Sequence, residues 1–271
     1  MAVGLLSGCG LPSNLVGLAA PGGALTGSIP ASLFTFINTP PDPSYTLLGF
    51  EVYYKLYDNT GGQLPGTYIT DTSQFTAATY ATPGYAPLVS EGYQRLAAFP
   101  APAVYSVSSG LASSWTPLSS AAATTLQQPP MIPISSGDRP NSFPVDINFS
   151  SSLLSTTQYL PAVTAQYQSG TSIVFANGST TLYAGRLLVP TLAPSPISGS
   201  YYLKGFNPSS SFDKYDPDMQ AILSSNPTFS GTSMGVGLVV LAYGLDPNVL
   251  TVYSIPVPIG YFLLTSIAVQ Q

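Results

Sequence analysis

The sequence predicts an all-β protein: an antiparallel β-sandwich with long loops and a large central insertion. Two stretches and one bulk property carry that expectation. Gly49 to Asp58, GFEVYYKLYD, alternates, with Phe50, Val52, Tyr54 and Leu56 on one side and Glu51, Tyr53, Lys55 and Tyr57 on the other. A period of two in β-branched and aromatic residues predicts a half-buried strand. Gly235 to Gly244, GVGLVVLAYG, is a second strand-like run near the far end of the chain. The bulk property is breaker density: 27 Pro and 25 Gly in 271 residues, about a fifth of the chain where about 12% is usual. Proline removes a backbone donor and glycine resists ordering, so long helices are disfavoured and short strands joined by turns are favoured.

The elements follow in order. Residues 1–27 read as a leader motif and a small, uncharged tether, in which Leu15-Val16-Gly17-Leu18 could also form an edge strand. Leu33 to Asn38 predicts a strand, and Thr39-Pro40-Pro41-Asp42-Pro43 a turn before the Gly49–Asp58 strand. Asn59-Thr60-Gly61-Gly62 supplies turn chemistry, because Asn and Gly accept positive φ at little cost. Gly92 to Phe99 predicts a short strand, and Pro100 to Pro140, rich in Pro, Ala and Ser, predicts long surface loops or partial disorder. Val145 to Phe149 alternates; Thr171 to Phe175 and Thr180 to Leu188 predict a hairpin about Asn177-Gly178. Tyr201 to Leu203 and Leu250 to Pro258 predict further strands, the latter following an Asp246-Pro247-Asn248 turn. Residues 28–58 and 232–271 are thus expected to form the core strands, with 59–231 as an insertion or a second β module. The apolar run Tyr261 to Val269 is far shorter than the roughly 18 residues a membrane helix needs.

Charge narrows the function classes. Charged residues make up 6% of the chain, against about 25% usually, and the net charge is −5. The six cations, Lys55, Arg95, Arg139, Arg186, Lys204 and Lys214, are scattered. Binding to a phosphate backbone requires clustered cations, so nucleic acid is excluded as a partner, and recruitment to anionic lipid by a basic patch is disfavoured. A weakly charged surface repels its own copies weakly, which favours homo-oligomerisation.

Leu6-Ser7-Gly8-Cys9 matches the lipobox of bacterial lipoproteins, a leucine and two small residues before a cysteine that accepts lipid. Cys9 is the only cysteine and has no disulfide partner in the chain; the alternative is a free buried thiol. Met1 to Leu5 carries no Lys or Arg and is shorter than a signal-peptide core. The lipobox implies lipid attachment at Cys9 and an extracellular, outer-membrane-anchored location, with Cys9 the sole membrane contact.

The strand at 33–38, the proline turn and the GFEVYYK run resemble the B and C strands of a fibronectin type III domain, an immunoglobulin-like sandwich. GVGLVVLAYG is similar to that fold's F strand and LTVYSIPVP, Leu250 to Pro258, to its G strand. Together with the lipobox, these runs also resemble uncharacterised surface lipoproteins of spirochaetes, a resemblance that implies no activity.

Catalytic patterns are thin. Gly231-Thr232-Ser233-Met234-Gly235 fits the G-x-S-x-G nucleophile elbow, but the chain contains no histidine and strand-like residues follow. Ser211-Phe212-Asp213-Lys214 fits S-x-x-K without the K-T-G partner motif. Asp213, Asp216 and Asp218 form the densest carboxylate group. They could supply oxygens to calcium, although the glycine and terminal glutamate of an EF-hand are missing; the favoured reading is Asp216 as a helix cap followed by Pro217 at the first helical position. No histidine and one cysteine argue against transition metals, and no cofactor is expected. Asn148-Phe149-Ser150 and Asn177-Gly178-Ser179 are formal glycosylation sequons.

Eighteen Tyr, twelve Phe and Trp115 either fill the core or provide a surface for protein or glycan partners. Three readings follow: a non-enzymatic lipid-anchored cell-surface protein mediating adhesion or envelope contacts; a self-assembling subunit of a filament, sheath, surface layer or capsid; and a carboxylate-dependent glycan-active enzyme with paired acids near Tyr or Trp115.

Overall fold

The computed structural model describes residues 18–23, 32–59, 66–76, 84–101, 104–149, 159–190, 199–230 and 233–270. Cys9 and the Leu6–Cys9 motif lie outside them. The first half of the chain forms β1 (Leu33–Ile37), β2 (Thr46–Asp58), α1 (Gly66–Thr76), α2 (Ala86–Ser90), β3 (Gln94–Phe99), β4 (Val107–Ser108), α3 (Ser120–Gln127) and β5 (Ile132–Pro133). The second half forms β6 (Pro144–Asn148), β7 (Ala162–Ala165), β8 (Thr181–Leu188), β9 (Tyr202–Lys204), β10 (Phe212–Asp213) and α4 (Gln220–Ser225). β11 (Met234–Leu245), β12 (Thr251–Tyr253), β13 (Val257–Leu264) and β14 (Val269–Gln270) complete it.

The body is all-β and mainly antiparallel. One continuous path runs β1-β6-β7-β8-β3-β2-β11-β12, with β13 also on β11, β5 on β2, and β9 on β8. The parallel exceptions are the short pairs β4–β9 and β10–β14. Strands from residues 59–231 are hydrogen-bonded into the same sheet as β1 and β2, since β3 joins β2 to β8 and β6 pairs with β1.

β2 and β11 are the longest paired strands, antiparallel from Met234↔Asp58 to Leu245↔Thr46. The alternation in β2 is as expected, but its outward face is covered too. Phe50, Val52, Tyr54 and Leu56 enter the main core, Tyr53 joins a second cluster with Phe75, Leu88, Tyr93, Val239 and Leu241, and Tyr57 a third with Tyr68 and Tyr261. A strand lined with tyrosine reads as half-exposed because the tyrosine tip is polar. Here α1 and α2 supply Tyr68, Phe75 and Leu88, which cover that face. β11 is apolar on both faces for the same reason, and Gly237 leaves room for the rings: a Cβ there would lie 2.9 Å from both Tyr57 and Tyr68.

Three segments depart from the sequence reading. Pro100–Pro140 is ordered where it is described: Ser119 Oγ accepts the Ala122 N–H and caps α3, while Ala123, Leu126, Ile132 and Ile134 are buried. Thr171 to Phe175 forms no strand, only a bridge from Ser172 to Gln166, and β8 pairs with β7 instead. The turn at Asn177-Gly178 is present, with Gly178 at φ 83° and the Phe175 N–H bonded to the Ser179 carbonyl. The start of the described chain is docked: Leu18 is buried in the main core and Gly22 exchanges two backbone hydrogen bonds with Ile37.

A buried charge cluster as the candidate functional site

β8 sends Leu182, Ala184, Arg186 and Leu188 to the inside, so an arginine occupies a core-facing slot of an alternating strand. Lys204 in β9 stands directly opposite Arg186 in the antiparallel register. Like charges facing each other across a ladder repel, and both side chains are fully buried. The compensation comes from the next segment of chain, where β10 and the single turn Pro217–Met219 present Asp213, Asp216 and Asp218.

The guanidinium of Arg186 is saturated. Its Nη1 donates to Asp218 Oδ1 at 3.0 Å and Oδ2 at 2.8 Å, Nε to the Gly205 carbonyl at 3.0 Å, and Nη2 to the Ser211 carbonyl. Both Nη atoms also stand 3.4 Å from Asp216 Oδ2. Lys204 Nζ donates to Asp216 Oδ1 at 2.7 Å and Oδ2 at 2.9 Å. The Asp213 backbone N–H adds a 3.1 Å bond to Asp216 Oδ2, and Tyr54 OH donates to Asp218 Oδ2 at 2.7 Å. Aromatic faces complete the enclosure: Phe212 lies 4.3 Å from the guanidinium carbon, and the ring of Trp115 3.8 Å from Lys204 Nζ. Asp213 is the outlier. It is 1% exposed, its Oδ1 accepts the Tyr215 N–H, and its Oδ2 has no hydrogen-bond partner among the described residues.

Burial sets the protonation energetics. It pulls the Lys204 ammonium down to about 8, with Arg186 adding to the fall and Asp216 opposing it. Burial likewise raises the Asp216 carboxyl against the pull of Lys204 and Arg186, and raises Asp213 against the Tyr215 amide and Lys204. For Arg186 burial disfavours the charge, but Asp218 and Asp216 outweigh it and push the value up. Tyr54 is raised by burial and then by Asp218.

The three carboxylates singled out in the sequence therefore converge, but on two cations of the chain itself. Among the described residues no group of three His, Cys, Asp or Glu side chains is arranged to hold a metal ion. The capping expectation is corrected in one respect. Asp216 holds the N-cap position and Pro217 follows, yet its side chain makes no capping bond because both oxygens are taken by Lys204, Arg186 and the Asp213 amide. Asp216 and Asp218 are 0% and 3% exposed, and Trp115 is buried against Lys204, so no sugar reaches that pair of acids. Ser211 is buried with its Oγ accepting the Asn207 N–H, and Lys214 lies over Tyr215, so the S-x-x-K pair does not form. Ser233 precedes β11 and its carbonyl accepts the Asn59 N–H. Arg186, Lys204, Tyr54 and Trp115 were not singled out together from the sequence; the available signal was two cations inside apolar strand runs in a chain with six.

A second polar cluster joins β2 to α1: Asp71 Oδ2 accepts from Lys55 Nζ and from Tyr57 OH, each at 2.7 Å, and Tyr57 OH lies 2.9 Å from Tyr93 OH. Beside it a groove is lined by Lys55, Tyr57, Thr67, Ala221 and Ile222. No protein-family model, curated protein or solved structure matches the chain.

Proposed function

We propose that the protein is a non-enzymatic structural protein that works through contacts of its sheet-built exterior, as a self-assembling subunit. The observation that carries the reading is the apolar exposure at both ends of the sheet path. At one end β1 exposes Leu33 at 46% and Ile37 at 42% while Phe34 and Phe36 face the core; near β12, Val249 is 73% and Leu250 63% exposed. Sheet ends that carry aliphatic side chains instead of charges are suited to pairing with further copies. Four of the six cations are held in internal ion pairs, which leaves little charge to oppose such contact. Light scattering across a concentration series is the test: assembly should grow with concentration and be lost in a Leu33→Lys/Leu250→Lys variant. A wild-type chain that stays monomeric at high concentration would defeat the reading.

A second reading keeps the Leu6-Ser7-Gly8-Cys9 motif as a lipidation site, placing the protein on the cell surface at the outer membrane with protein or glycan partners. A native mass carrying lipid on Cys9 supports it; an intact Met1 with a free Cys9 thiol removes it. For the finer fold, a fibronectin type III-like sandwich is favoured by the adjacency of β2, β11 and β12, the order of that fold's C, F and G strands. The unbroken path from β1 to β12, which curls toward a barrel, weighs the other way.

A further inference from the structure

We propose that Lys204 and Asp216 condense into an intramolecular amide that cross-links β9 to the turn leading into α4. Two reactive groups are enclosed together here: Nζ is within 2.9 Å of both carboxyl oxygens, which places the carboxyl carbon beside the nitrogen, and neither side chain has any exposure. Holding reactants in contact and out of water is the condition under which an uncatalysed bond formation becomes fast.

The surroundings fit the reaction in three ways. Burial favours the neutral forms of both partners, so proton transfer from the ammonium to the carboxylate yields an amine and a carboxylic acid without changing the net charge. Asp216 Oδ2 already faces the Asp213 N–H at 3.1 Å and the Arg186 guanidinium at 3.4 Å, donors placed where an oxyanion would develop. Asp213 provides a buried carboxyl that makes no ion pair among the described residues and whose charge reaches Lys204, and it is the group we assign to proton transfer.

The atoms balance within the protein. The Nζ lone pair attacks Cγ, forming the C–N bond and a tetrahedral centre whose negative charge rests on Oδ2. The nitrogen gives up a proton, carried by Asp213 to Oδ1. The C–Oδ1 bond then breaks, Oδ1 leaves as water, and the carbonyl re-forms. One ammonium and one carboxylate become one amide and one water, and no oxidant, cofactor or activating group is consumed.

The experiment is intact-mass and tandem mass spectrometry on the purified full chain. The expected mass is lower than the sequence mass by one water, and proteolysis should give a branched peptide joining the Lys204 and Asp216 segments, with no tryptic cleavage after Lys204. Folded wild-type chain at full sequence mass overturns the proposal, as does a water loss that maps to any other position. Asp213→Asn separates chemistry from packing: it should fold, by circular dichroism, while remaining at its full mass. A folded Asp213→Asn chain that cross-links as completely as wild type would remove Asp213 from the mechanism. Lys204→Met should likewise show no branched peptide whether or not it folds.

Discussion

Gly235 lies beneath the ring of Tyr261, so close that a Cβ built on the glycine would sit 1.9 Å from the phenol oxygen and 2.1 Å from a ring carbon. Tyr261 stands opposite Gly237 in the ladder between β11 and β13, and its ring reaches diagonally over Gly235. Replacing Gly235 by alanine requires the whole ring to move, and overpacking of this kind costs about 1–3 kcal/mol. Gly235→Ala should lower stability by that amount in urea unfolding, and adding Tyr261→Leu should recover much of it, a coupling that a double-mutant cycle measures.

Tyr261 OH is buried without a hydrogen-bond partner among the described residues. An unsatisfied buried hydroxyl costs about 1–3 kcal/mol. Tyr261→Phe should therefore stabilise the protein, by about 1 kcal/mol in urea unfolding, whereas Tyr57→Phe, which removes bonds to Asp71 and Tyr93, should destabilise it.

Arg186 and its acids predict a strong asymmetry. Arg186→Met removes one cation and leaves Asp218 and Asp216 undercompensated in the core, a change that costs about 3–5 kcal/mol. Arg186→Met/Asp218→Asn should be less destabilised than Arg186→Met alone, because the stranded charge is then removed. Denaturant melts of the two variants decide the point.

The pH profile of stability should be unusual. Burial raises Glu51, Asp213 and Asp216, so the folded state binds protons at a higher pH than the unfolded state, whose carboxyls titrate near about 4. Their contribution is fully present below the unfolded values and is lost as pH rises through the folded ones. The midpoint of thermal unfolding should thus rise, not fall, as pH drops through the folded values of these three groups. Lys204 acts oppositely: with its folded value at about 8 and the unfolded one at about 10.4, stability should grow with pH between them. Amide formation abolishes this alkaline gain together with the Asp216 share of the acid effect, whereas Lys204→Met abolishes the alkaline gain. Above about 10 the unfolded tyrosines ionise first, since Tyr68 and Tyr253 are pushed up to about 12 by burial, and stability falls again.

The paired long strands were legible because β2 alternates over most of its length, with Phe50, Val52, Tyr54 and Leu56 all core residues, and because β11 is a continuous apolar run. α1 was not. Its sequence, GTYITDTSQFT, is rich in threonine and contains isoleucine, and weak intrinsic helix formers give no local signal. The helix is held by three contacts at helical spacing, Tyr68, Asp71 and Phe75, each made with a residue distant in sequence or across the sheet. The charge cluster was hidden for a related reason. The Asp213–Asp218 group was visible in the sequence, but its partners Arg186 and Lys204 sit in strands whose inward face cannot be assigned until the register is known. Glu51 shows the same limit: it occupies the expected outward face of β2, yet it is buried, pairing with Arg95 of β3 and accepting the Met131 N–H from the segment after α3.

The pairing of β2 with β11 also sets an order of events. The two strands are separated by about 175 residues of chain, and such distant pairings carry a large closure entropy and form slowly. During synthesis β2 emerges long before the strand that covers its edge, so an aliphatic and tyrosine-rich ribbon must wait, unpaired on that side, for most of the polypeptide to leave the ribosome. A waiting edge of this composition is prone to pairing with nascent neighbours. A holding chaperone, or slow and dilute synthesis, would keep that edge from such pairing.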